Sequence, residues 1–246
     1  MSELIPNAIA HIIELRKKLI ISVGIFLVFF LGYFVFCQPL FDNLGQHLLK
    51  HLPSYQIIAT QVTAPLTVLV KLSMLCAIFT TVPIFIYQIC SFIAPGLYQH
   101  EKKLFFPLIA LSTLLFYLGG LFAFFVVCPL ALSFFYHFAP SQVTVMTDIG
   151  AYFHFVSNMV MTFALCFQIP MLIYSALYFN ILSKSRFSQK RGYIIVGCFI
   201  LGMLLTPPDV ISQILLAVPL ILLFELGLIL YYFFPHPGRN SDRLSS

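Results

Sequence analysis

The chain has 246 residues, 61% of them hydrophobic and only 9% charged, against the roughly 25% charged residues usual in soluble domains. That composition excludes a water-soluble globule. Apolar runs near the ~20 residues that cross a ~30 Å hydrocarbon layer as helix exclude the short alternating strands of a barrel. The formal net charge of +5 comes without a basic stripe interleaved with aromatics, so no nucleic-acid partner is expected.

In chain order the apolar runs fall at Leu19–Cys37, Leu66–Ile93, Leu104–Val127, Tyr152–Phe179, Gly192–Thr206 and Val210–Phe234. They predict an all-α membrane protein with six spans in one polytopic domain, residues 1–234, followed by a disordered cytoplasmic tail, 235–246. The first run follows Arg16, Lys17 and Lys18 like a signal peptide. No small-residue cleavage site follows it, so it is expected to stay as a membrane helix. Eleven of the thirteen Lys and Arg residues lie on one side of this map, before the first span, in the second and fourth loops and in the tail. The positive-inside rule then places both termini in the cytoplasm.

The first and third loops, Gln38–Pro65 and Pro129–Gly150, are the largest non-cytoplasmic pieces, and both hold apolar residues suited to short surface helices. Pro83, Pro107, Pro170 and Pro219 lie in or near spans, where each favours a bend, so a curved, concave scaffold is expected. With no tryptophan in the chain, tyrosines such as Tyr33, Tyr87, Tyr117, Tyr152 and Tyr193 are the interfacial anchors to expect. The fifth run is about 15 residues and is parted from the sixth by Thr206-Pro207-Pro208-Asp209, which cannot continue a helix. Two short helices and a re-entrant pair both fit. The fifth and sixth helices are therefore expected to be short.

No nucleophile–base pair and no His-Glu-x-x-His pattern occurs, so no catalytic residue, metal or cofactor is expected. The six cysteines show no paired spacing and read as small core or lipid-facing residues. Carboxylates on the basic face are few: Glu3, Glu14, Glu101 and Asp242. From residue chemistry alone Glu14 reads first as the i,i+4 partner of Lys18, worth a few tenths of a kcal/mol, and Glu101, preceding Lys102-Lys103, as a solvated loop charge. Lys71 lies close enough to the outer surface to snorkel. Asp148 and Asp209 each precede a span and are expected to cap its helix.

Within the spans, Glu225 reads either as a proton relay or as a neutral polar contact between helices. Gln168, two residues before Pro170, can bond backbone groups freed by that proline. A proton-coupled small-solute transporter using Glu225 is the alternative reading, though the chain lacks the internal repeats such folds show.

Three motifs in order, His11-Ile12-Ile13-Glu14-Leu15-Arg16, Phe92-Ile93-Ala94-Pro95-Gly96-Leu97-Tyr98 leading to His100-Glu101, and Met203-Leu204-Leu205-Thr206-Pro207-Pro208-Asp209 followed by Ser212-Gln213, closely resemble those of the TatC family. The likeness runs from about residue 10 to about 234. It implies the receptor subunit of a twin-arginine translocase in the bacterial inner membrane, driven by the proton-motive force and working with TatA- and TatB-like single-span partners and further copies of itself. By the same resemblance Glu14, Arg16, Phe92, Leu97, Tyr98 and Glu101 bind the signal peptide of a folded cargo protein. Met203, Thr206, Asp209 and Gln213 would then dock partner helices. Carboxylates suit guanidinium forks, which bind them bidentately as lysine cannot. The chain departs from the family pattern at Gln168, where a glutamate is common, at Lys18, often arginine, and at His47, often proline.

Overall fold

The computed structural model describes residues 4–42, 57–93, 105–137, 147–178, 191–205 and 210–233, and among them nearly everything is helix. Long helix α1 (Leu4–Val35) leads into the four-residue α2 (Cys37–Leu40), and α3 (Ala64–Ile93) follows. Helix α4 (Phe105–Phe122) passes through a π-helical turn, Ala123–Val127, into α5 (Cys128–His137). Then come α6 (Ile149–Cys166), α7 (Ile169–Tyr178), α8 (Arg191–Leu205) and α9 (Val210–Phe233). Among the described residues four stretches are long and apolar enough to cross a bilayer: Ile13–Val35, Ala64–Phe92, Phe106–Phe134 and Ile149–Leu177. The chain is thus a multi-pass helical membrane protein. The expected disordered tail and the Thr206–Asp209 turn lie outside the described residues.

Four expectations are corrected. The third span does not stop at Val127 but runs on through Pro129 to Phe134. Pro129 has no N–H and its ring crowds the preceding turn; the widened i→i+5 turn, in which Cys128 N–H donates to the Ala123 carbonyl, lies immediately before it and loosens the ladder where the proline must enter. The fourth span is not one helix, because Phe167 and Gln168 form a turn ahead of Pro170, with Gln168 N–H reaching only the Leu165 carbonyl at 3.0 Å. The sixth helix is not short. It holds 24 residues, about 36 Å at 1.5 Å per residue, whereas α8 with 15 is short as expected. Finally, Tyr33 and Tyr117 are not free to serve as interfacial anchors, since their hydroxyls bond to α3, and Tyr152 is buried.

The chain forms two compact units, residues 1–117 with 135–157 and residues 118–134 with 158–246. In the first, α1 and α3 pack antiparallel, as the polar contacts between them record: Lys18 with Ser91, Ser22 with Gln88, and Tyr33 with Thr80. Thr80 Oγ1 donates to the Cys76 carbonyl at 2.9 Å, so in the 2.8 Å contact the Tyr33 hydroxyl is the donor. Interhelical bonds of this kind contribute about 0.6 kcal/mol each in membranes. Fully buried Ser73 and Thr81 donate to carbonyls four residues back, Leu69 and Ala77, which satisfies their hydroxyls without water. Phe79 packs on Phe116 at 4.9 Å while its carbonyl accepts the Tyr117 hydroxyl. The outward side of α1 stays apolar and exposed, with Val28, Leu31 and Val35 at 60% or more. Such exposure suits lipid.

Two-residue strands β1 (Ile57–Ile58) and β2 (Thr147–Asp148) pair in parallel, Ile57 opposite Thr147 and Ile58 opposite Asp148. This pairing between the first and third loops was not expected. Asp148 holds it: one carboxylate oxygen accepts Thr60 N–H and the other Ala151 N–H, each at 3.1 Å. The second bond is the expected N-cap of α6. Both bonds, Thr60's first, hold the Asp148 carboxyl below its ordinary value of 3.8. A depressed folded-state pKa contributes stability that is present above that value and lost as pH falls through the folded-state value. Acidification below about pH 4 should therefore shift the amide resonances of Thr60 and Ala151 together; Asp148→Asn should remove that dependence, and unchanged acid titration in the variant would count against the clasp.

In the second unit, Ile173 and Leu177 of α7 and Phe224 of α9 form a buried cluster flanked by Ile169, Ile194 and Leu228. Phe122 meets Phe163 at 6.0 Å and Phe167 at 5.7 Å. Glycines allow the closest approaches. Gly119 lies against the Phe163 carbonyl and Gly227 against Pro170.

Candidate functional site

Glu14 sits in the part of α1 that precedes its apolar run, and antiparallel packing brings it to the end of α3 that carries Ser91 and Phe92. Glu14 Oε1 lies 2.7 Å from Lys18 Nζ, one helical turn on, and that amine also donates to Ser91 Oγ at 3.2 Å. Lys18 thus ties Glu14 of the first motif to Ser91, the residue just before the second. The Glu14 side chain keeps 44% of its surface exposed and Lys18 21%, so the carboxylate can be approached from water while its lysine is mostly covered. Phe92 is half-buried beside Ser91. One turn deeper, Ser22, which is 3% exposed, donates to the Gln88 side chain. Arg16 is exposed and, two residues on, faces away from Glu14 around the helix. Leu97, Tyr98 and Glu101 lie outside the described residues.

The third motif is placed in part. Gln213 on α9 donates Nε2–H to the Phe199 carbonyl of α8 at 2.9 Å, joining the two helices. Met203 is 59% exposed, while Thr206 and Asp209 fall outside the described residues. Gln168 and Glu225 are both half-buried and neither lacks an interaction partner. They sit on the α7 and α9 sides of one packed pair, since Gly227, two residues past Glu225, touches Pro170 and Ile173. Among the described residues no three His, Cys, Asp or Glu side chains gather as a metal site. Neither Ser91 nor Ser22 is legible in the sequence, because a serine whose partner, Lys18 for one and Gln88 for the other, lies more than sixty residues away leaves no local pattern.

A family model described as "Sec-independent protein translocase protein (TatC)" matches residues 10–219. The chain belongs to the TatC family. It is 42% identical over 235 residues to the TatC protein of Escherichia coli K12, covering 95% of this chain and 91% of that one. It is 43% identical to that of Haemophilus influenzae, covering 92% and 89%. Two crystal structures of TatC, described as the twin arginine translocase receptor, superpose with TM-scores of 0.80 and 0.81 at 37% identity, covering 90% and 89% of this chain and 98% of each of theirs. The chain is therefore a Sec-independent protein translocase component, and the small-solute transporter reading is set aside.

Proposed function

We propose that this TatC-family chain is the receptor that binds twin-arginine signal peptides of folded cargo at the cytoplasmic face of a bacterial inner membrane. The observation that supports it best is that Lys18, paired with Glu14 of the first motif, reaches Ser91, the residue that precedes the second motif, at one end of the first unit. An accessible carboxylate suits a peptide that carries guanidinium forks. In this reading Glu14 and Glu101 accept the two arginines, Arg16 flanks them, and Phe92, Leu97 and Tyr98 hold the apolar part. Six spans with both termini cytoplasmic, bent at their prolines into a concave scaffold, complete the topology; α9 is long enough to be one of the six and short α8 calls for a locally thinned bilayer.

Met203, Thr206, Asp209 and Gln213 dock the membrane helices of TatA- and TatB-like partners, with further copies of this chain in the assembly and the proton-motive force as the drive. Gln168 carries no charge, so its part is hydrogen bonding.

Photocrosslinking of a radiolabelled twin-arginine signal peptide to the protein in membranes tests the reading. Labelling near Glu14 and Glu101 should vanish with a twin-lysine peptide and with Glu101→Ala. Equal labelling by both peptides would remove guanidinium recognition.

A further inference from the structure

Glu14 is not a bare carboxylate. Its oxygen is held at 2.7 Å by Lys18, and Lys18 is held in turn by Ser91 at 3.2 Å. An ammonium has three donors, so the bond to Ser91 can persist when the one to Glu14 breaks. We propose that Lys18 is a displaceable internal cation: it occupies Glu14 while the receptor is empty and swings off the carboxylate, still tethered to Ser91, when a signal-peptide arginine arrives.

The inference rests on the reading of Glu14 as a signal-peptide ligand and adds a regulatory contact to it. The energetics permit the exchange. A partly exposed single-point Lys–Glu pair is a weak contact, whereas a guanidinium brings two parallel charge-assisted bonds to the same carboxylate. An incoming lysine would replace one ammonium by another and gain little. The resident amine weakens binding of every cationic peptide by a common factor. It therefore leaves the arginine-to-lysine ratio intact and raises the concentration at which either peptide occupies the site, most restrictively for the weaker twin-lysine ligand. Lys18 acts here as a threshold, and the carboxylates supply the selectivity.

The test is fluorescence-anisotropy titration of the purified full chain in detergent with synthetic twin-arginine and twin-lysine signal peptides. Lys18→Met should strengthen binding of both peptides by about three- to sixfold, the occupancy expected of an exposed ion pair, with their ratio unchanged. Lys18→Gln, which retains a donor for Ser91, should do the same and stands in if the methionine variant does not fold. The gain should disappear in a Glu14→Gln background, because competition runs through that carboxylate; a gain that survives there would be general charge repulsion and would overturn the proposal. Unchanged or weakened binding in both Lys18 variants would overturn it too, weakening meaning that the lysine only positions Glu14. If Glu14→Gln alone leaves twin-arginine binding untouched, the receptor assignment of Glu14 fails instead.

Discussion

Gly119→Ala and Gly227→Ala should each lower the unfolding free energy by about 1–3 kcal/mol, the range for overpacking a filled site. A methyl group at Gly227 would stand 2.8 Å from Cα of Pro170 and 3.1 Å from Cδ1 of Ile173; one at Gly119 would stand 2.7 Å from the Phe163 carbonyl oxygen and 2.8 Å from Cβ of Phe167. In both places the obstacle includes backbone or the stem of a side chain, which cannot rotate away. The same substitution at Gly24 meets nothing within 4 Å and should be neutral or gain up to about 1 kcal/mol from helix propensity. Reversible unfolding in mixed detergent measures all three. If the three variants unfold alike, the close packing of α4 on α6 and of α9 on α7 is wrong.

Those glycines also show where sequence reading stops. Long helices are legible as long apolar runs, and the helices α8 and α9 begin and end within a residue or so of the apolar runs 192–206 and 210–234. Proline is harder, since its effect depends on what the preceding turn can do. By sequence Pro129 opens a loop, yet a π turn carries the helix past it; Pro170 favours a bend, and the helix is interrupted by the turn at Phe167-Gln168. The β1–β2 pairing joins residues ninety positions apart through two residues on each side, too short for any periodicity to announce. In the candidate site, the Glu14–Lys18 pair was legible from its i,i+4 spacing. Its third member, Ser91, was not, because only the antiparallel packing of α1 on α3 brings it there.

The larger functional effect is expected from the carboxylates themselves. Glu14→Gln preserves the shape of the side chain and one acceptor oxygen but loses the charge and the second oxygen of a bidentate contact. Charge-assisted bonds to an ionised group contribute about 1.5–3 kcal/mol, so twin-arginine peptide affinity should fall roughly tenfold to a hundredfold, and export of a folded twin-arginine cargo should fall with it. Glu101→Gln should have an effect of the same order. If neighbouring arginines of one peptide share the two carboxylates, the double variant should lose more than the product of the single effects, since in each single variant the remaining carboxylate can take whichever guanidinium is better placed and in the double variant neither is left. Because the Glu14 side chain is 44% exposed, the wild-type affinity should also weaken with added salt, and the Glu14→Gln protein should show a shallower dependence. A change of less than about twofold in both single variants, against that tenfold expectation, would mean that the arginines are read elsewhere, and the pairing of Glu14 with Lys18 would then be only a structural contact at the start of α1.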